Sequence, residues 1–228
     1  MNEPGPATLA AAAAGGAEAQ SVRADETTGA PGAMLVIISG PSGVGKDTII
    51  AALRDRSRQP DYHYVVTCTT RPRRPGETDG VSYQFLEPAA FIAQHRAGEF
   101  LEANEVHGNW YGTPRGQVRA ALAAGHDVIL KIDVQGAQVV KENVPDAILI
   151  FIVPPSLETL FQRLKRRATE TADQLELRQR NAAIELARQD DYDYIVENRE
   201  GEVAATAARI DAIIAAERAH RPDRRVRV

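Results

Sequence analysis

Cysteine is almost missing from this chain of 228 residues, with Cys68 the only one. A single thiol rules out an internal disulfide framework and fits a reducing cytoplasm, which is the expected location. Long apolar runs are missing as well; none approaches the roughly 20 residues that a membrane helix needs, so no membrane partner is expected. The five histidines, His63, His95, His107, His126 and His220, show no paired ligand spacing. With one cysteine beside them they argue against a zinc site. Basic excess is missing too: the formal net charge is −4, so no global basic field calls for nucleic acid as a partner. Residues 1–32 hold almost no large apolar side chain, and lack the basic start and long apolar core of a signal peptide. Burial in such a segment cannot offset its ordering entropy, which predicts a disordered tail.

What is there suits a soluble globular protein of one main domain with small inserts, at 43% hydrophobic and 25% charged residues. The chain is organised around Gly40-Pro41-Ser42-Gly43-Val44-Gly45-Lys46-Asp47-Thr48. The apolar run Met34 to Ser39 precedes it, and Ile49 to Leu53, with helical spacing, follows. A strand, a glycine-rich turn and a helix N-terminus are what a P-loop requires. Glycines let successive backbone N–H groups turn inward onto a phosphate, the helix adds its positive dipole end, and Lys46 reaches the outer phosphates. These nine residues form the expected ATP-binding loop. One position departs from the pattern: the residue after the lysine is normally Ser or Thr, whose hydroxyl binds Mg²⁺, and here it is Asp47. A carboxylate is a hard-oxygen ligand, so Asp47 is expected to bind the ion directly or through water.

Beyond the loop, apolar strands alternate with helical segments. Tyr64 to Cys68, Val128 to Asp133, Ala147 to Val153 and Tyr192 to Val196 read as strands, with Ala147 to Val153 the most apolar and expected at the centre. Helices are expected over Val134 to Asn143, from the cap residue Ser156 onward, and over Glu202 to Arg218. Alternation of this kind predicts an α/β fold with a parallel central sheet and helices on both faces. Between two core elements lie shorter pieces: a strand over Tyr83 to Leu86, a helix over Pro88 to Ala97, a strand over Phe100 to Val106 and a turn over Gly108 to Gly112. They define an inserted subdomain over 67–115. The boundaries that follow are a tail over 1–32, core over 33–66, the insert over 67–115, core over 116–162, a helical lid over 163–183, core over 184–220 and a basic, solvated C-terminal tail over 221–228.

The insert carries the acceptor chemistry. Arg71, Arg73 and Arg74 fall within four residues, stiffened by Pro72 and Pro75, with Tyr83 and Tyr111 further on. Most such charge runs are solvated surface. Arginine forks also match phosphate oxygens bidentately, and with two tyrosine hydroxyls they would make a monophosphate clamp. Glu102 lies in a strand-like stretch, and Asp133 ends a core strand, where open α/β sheets place ligands. Either one alone is an ordinary surface charge. Together they could accept the N1–H and exocyclic amine of guanine, an edge that adenine does not offer.

Ser39 to Lys46, Thr69-Thr70-Arg71 with Arg74-x-Gly76-Glu77, Asn109 to Thr113, and Ile132-Asp133-x-Gln135-Gly136 resemble, in order and spacing, the guanylate kinases, P-loop nucleoside monophosphate kinases. The resemblance covers about residues 34–215. It implies transfer of the ATP γ-phosphoryl to GMP with Mg²⁺, a step of purine nucleotide metabolism, and leaves monomer and homo-oligomer both open. It implies that Arg71, Arg74, Tyr83 and Tyr111 hold the GMP phosphate, and that Thr67, Glu102 and Asp133 read guanine with Thr113 nearby. Lys46, Arg71, Arg167 and Arg178 would be the catalytic cations, Arg167 and Arg178 closing from the lid. Arg166 and Ala168 stand where glycines commonly flank the lid arginine, Gln179 takes a usually apolar place, and Lys131 replaces an often acidic residue near the metal. Lys131 and Asp47 read as a compensating pair. Two alternatives are a kinase with a phosphorylated-sugar acceptor and a non-catalytic guanylate-kinase-like module binding phosphopeptides or nucleotides. Glu102 and Asp133 weigh against the first, and Lys46, Arg167 and Arg178 against the second.

Overall fold

The computed structural model describes residues 28–56, 62–106, 108–167 and 172–228. In chain order the elements are β1 (Leu35–Ser39), α1 (Lys46–Arg56), β2 (His63–Tyr64), β3 (Cys68–Thr69), β4 (Gln84–Phe85), α2 (Pro88–Arg96), β5 (Phe100–Val106), β6 (Asn109–Pro114), α3 (Arg115–Ala123), β7 (Val128–Lys131), α4 (Val134–Asn143), β8 (Ile148–Val153), α5 (Leu157–Arg167), α6 (Ala172–Leu186), β9 (Tyr194–Glu197) and α7 (Val203–His220). No helix among the described residues is long and apolar enough to cross a membrane.

Five strands form a wholly parallel sheet in the order β2-β7-β1-β8-β9. Every residue of β1 is buried, because side chains alternate between two covered faces. Val36 and Ile38 join Ile150 and Ile152 under Ile49 and Leu53 of α1, Leu160 of α5 and Ile210 of α7. Leu35 and Ile37 join Leu130 and Leu149 under Leu122 of α3 and Val140 of α4. The most apolar strand, β8, is interior as expected, but β1 is the middle one. That puts the P-loop at the centre of the sheet's C-terminal edge.

A second, four-stranded mixed sheet follows the order β4-β3-β6-β5, with β3 and β4 parallel and the other pairs antiparallel. Its small core is Cys68, Phe91 and Phe100, the two rings stacked at 4.6 Å. Two sequence expectations change here. The run Tyr64 to Cys68 is not one strand: its start pairs with β7 in the core sheet, and Cys68 pairs in the insert, so the chain crosses between sheets at 65–67. The expected turn over Gly108 to Gly112 is mostly β6, which pairs with both β5 and β3. Gly112 serves packing there, since a Cβ would lie 3.0 Å from the rings of Phe91 and Phe100.

Both termini also differ from expectation. Residues 1–27 of the expected tail lie outside the described residues, but Thr28 to Gly32 are packed. Gly29 N–H donates to the Val226 carbonyl at 2.8 Å, and Ala30 N–H to that of Leu122 at 2.9 Å. The C-terminus is docked rather than solvated: Val226 and Val228 are buried in the second core cluster, and buried Arg224 pairs with Glu217. Strand-like alternation explains it, with the valines turned inward and Arg225 and Arg227 outward. The basic composition of this stretch concealed its period of two.

Candidate active site

The P-loop holds its shape through residues that tolerate no side chain. Gly40, Gly43 and Gly45 have φ of 140°, 84° and 105°, in the left-handed region that favours glycine. A Cβ on Gly40 would lie 2.4 Å from the Ile152 carbonyl oxygen, and one on Gly45 2.6 Å from Asn198 Nδ2. Asn198, just beyond β9, and Arg163 of α5 both donate to the Val44 carbonyl, at 2.8 and 3.2 Å. Lys46 Nζ lies across the loop mouth, donating to the carbonyls of Gly40 (2.5 Å) and Pro41 (3.2 Å). Burial lowers its pKa, opposed by the nearby charges of Glu185, Asp133 and Asp47. The ammonium is thus desolvated and aimed into a cleft, the state in which it binds an anion most strongly.

Across the cleft stands the insert. Glu102 of β5 is almost wholly buried, and each carboxylate oxygen has one fixed donor: the Thr113 hydroxyl at 2.6 Å and Asn104 Nδ2 at 2.8 Å. Burial, with the negative field of Asp133, pushes its pKa up to about 7 against those donors. Asp133 ends the strand region and caps α4, its Oδ1 accepting from the Gln135 and Gly136 N–H groups at 2.8 and 3.0 Å. Gly136 makes room for the pair: a Cβ there would meet Glu102 Oε2 at 2.8 Å. Thr67 lines the same cleft. An adjoining cavity gathers Arg71, Arg74, Tyr83 and Tyr111. Arg71 is fixed there by Glu77 Oε1 (2.6 Å) and the Pro72 carbonyl (2.7 Å), and the same carboxylate accepts from Arg74 N–H at 2.7 Å. Arg71 also faces the Tyr83 ring at 5.5 Å, and Tyr83 meets Tyr111 edge-on at 6.0 Å. A nucleotide-phosphate cradle and a cationic, hydroxyl-lined pocket therefore share one cleft.

Comparison with known proteins assigns this arrangement. The guanylate kinase family model matches residues 32–217. The chain belongs to the guanylate kinase family. A guanylate kinase of Symbiobacterium thermophilum is 46% identical over 189 residues, 83% of this chain and 88% of that protein. One from Thermobifida fusca is 48% identical over 164 residues, covering 72% and 83%. Among solved structures, the guanylate kinase from Anaplasma phagocytophilum matches with a TM-score of 0.65 at 32% identity, over 81% of this chain and 86% of that one.

Lys131 stands where the two halves of the cleft meet. Lys131 at the end of β7 donates to Asp47 Oδ1 at 2.5 Å and to the Tyr83 hydroxyl at 3.2 Å, so the two departures from the family pattern meet as an ion pair. Arg178 of α6 reaches the loop, donating to Ser42 Oγ at 3.4 Å. The Arg167 side chain and residues 168–171 of the lid, including Ala168, lie outside the described residues. Several residues that shape the site escaped the sequence reading. Glu185, in the last turn of α6, accepts from Ser42 N–H at 2.9 Å; helix glutamates are too common to stand out. Asn198 carried the signal that marked Asp133, a polar residue just past a core strand. Asn104 gave no signal of its own, and Gly136 entered only within a motif, without its role in making room for Glu102.

Proposed function

We propose that this cleft transfers the γ-phosphoryl group of ATP directly to a phosphate oxygen of GMP, giving ADP and GDP, with each half serving one substrate. The observation that carries this reading is that Glu102, Thr67 and Asp133 line the same cleft as Lys46 and the P-loop. The loop residues Gly40 to Thr48 bind the ATP phosphates through backbone N–H groups. Arg71, Arg74, Tyr83 and Tyr111 clamp the GMP phosphate. Glu102 and Asp133 accept from guanine, with the Thr113 hydroxyl holding Glu102 in place.

The acceptor oxygen is already anionic, so no strong base is required. Positioning and charge neutralisation do the work, supplied by Lys46, Arg71 and, from the lid, Arg167 and Arg178. Mg²⁺ is the implied cofactor. Among the described residues no group of three or more His, Cys, Asp or Glu could hold a metal alone, which suits an ion carried mainly by nucleotide phosphates. Asp47, next to Lys46 and with a largely exposed carboxylate, has the donor chemistry to complete its shell. When bound, such an ion would supply charge neutralisation on the nucleotide phosphates. Steady-state assays of Arg167→Ala test the lid assignment: turnover should fall about 10³-fold or more, the scale of inserted arginines elsewhere. The Michaelis constant for GMP should hardly move. A change confined to GMP affinity would contradict it.

A further inference from the structure

We infer that Lys131 is a further catalytic residue of this phosphoryl transfer, a cation that contacts the migrating group where the donor and acceptor halves of the cleft meet. The inference rests on the ATP:GMP reading above. Lys131 ends β7 beside β1, so the core sheet delivers it to the same edge as the P-loop. It lines both the nucleotide cleft and the arginine–tyrosine cavity. Its Nζ spans them, donating to Asp47 on the P-loop helix and to Tyr83 on the acceptor side, 4.7 Å from the Tyr83 ring centroid. The stem is mostly buried, with 21% of the side chain exposed, so the charged end has little freedom to leave.

Two features favour a catalytic role over a structural one. Lys46 and Lys131 line the same cleft, two cations facing a space that suits anionic oxygens. In addition, the pair with Asp47 has one exposed partner, 68% exposed on the Asp47 side. A pair that open adds little to folding stability. It does hold the ammonium at the junction.

In the step itself an oxygen of the GMP phosphate forms a bond to the γ-phosphorus of ATP. The bond from that phosphorus to the β–γ bridging oxygen breaks, and its electron pair leaves on ADP. No proton or electron is left over. Negative charge accumulates on the equatorial and bridging oxygens between the two substrates, and Lys131 is the cation positioned from the side. Asp47 aims it before the substrates arrive, and their greater charge then draws it inward.

The test compares Lys131→Gln and Lys131→Arg with the parent chain, using melting temperature as the control for folding. Lys131→Gln should lower kcat by about 10²–10³-fold, the usual loss on removing one charge-stabilising donor. The Michaelis constants for ATP and GMP should stay within about threefold. Affinity for a transition-state mimic, ADP with aluminium fluoride and GMP, should weaken by the same factor as kcat. Lys131→Arg, which keeps a cation, should retain turnover within about tenfold. A folded Lys131→Gln with parental kcat, or one that loses kcat but binds the mimic normally, would overturn the inference. So would a folded Lys131→Arg as slow as a charge-free variant, which also covers the case in which Lys131→Gln fails to fold. A parent chain that ignores GMP would instead sink the underlying ATP:GMP reading.

Discussion

Glu102 would tie folding to substrate choice through one buried side chain. Its pKa of about 7 stands above the 4.5 of an ordinary glutamate, because burial disfavours the anion. With the folded value raised, its contribution to stability is fully present below about pH 4.5 and is lost as pH rises through 7. In the proposed complex guanine would reverse the balance, since its N1–H and amine donate best to an ionised carboxylate. The stabilisation of the fold by GMP should therefore grow from pH 6 to pH 8, read as the shift in melting temperature at saturating GMP. In Glu102→Gln, part of that pH dependence should vanish and the Michaelis constant for GMP should rise on the order of 10–100-fold, the cost of mispaired donors. An unchanged pH slope in that variant would remove Glu102 from guanine recognition. The sequence pointed to Glu102 through its strand-like setting and its pairing with Asp133. It gave no sign that Asn104 holds the second oxygen, because an asparagine two residues away on the same strand face is unremarkable until the fold buries both.

At the scale of elements, the start of α4 is shaped for the site rather than for helix stability. Gly136 sits in its first turn, where alanine would favour the helix by about 0.5–1 kcal/mol. A Cβ there would collide with Glu102 Oε2, which Asn104 holds while Thr113 holds Oε1. Gly136→Ala should therefore leave the melting temperature equal or higher while weakening GMP binding at least tenfold, measured by calorimetry. Loss of stability together with binding would mean that the glycine serves packing alone. Elements built on long apolar runs were legible in the sequence: β1, β7 and β8, with the helices that cover them, emerge near their expected limits. The insert was less so. Its β4, α2 and β5 fall within the expected runs from Tyr83, Pro88 and Phe100, but β3 spans two residues, too short to show periodicity, and turn-forming Gly108, Asn109 and Gly112 masked β6.

For the whole molecule, the two ends of the described chain close the core on the side away from the cleft. Thr28 bridges to Arg227, and Val226 and Val228 fill space beside Leu35 and Val118. Removing residues 225–228 takes away two buried valines, about 3–5 kcal/mol in all. The melting temperature should drop by roughly 10 °C, with the Michaelis constants unchanged at a temperature where the variant stays folded. A truncated chain that melts like the parent would mean that this end is the solvated tail its composition suggested. The sequence made the catalytic half of the molecule legible because glycine and lysine spacing there is dictated by phosphate geometry. It hid the terminus because a charged stretch with period two resembles a tail until its valines find a surface.

The most direct test of the whole account is the initial rate of ADP formation from MgATP with GMP, AMP, CMP or UMP as acceptor, at matched concentrations. The account predicts rapid ADP formation with GMP and rates near the acceptor-free background with the others, since Glu102 and Asp133 meet matching donors only on guanine. Equal rates with GMP and AMP, or no stimulation by GMP in a folded chain, would contradict it.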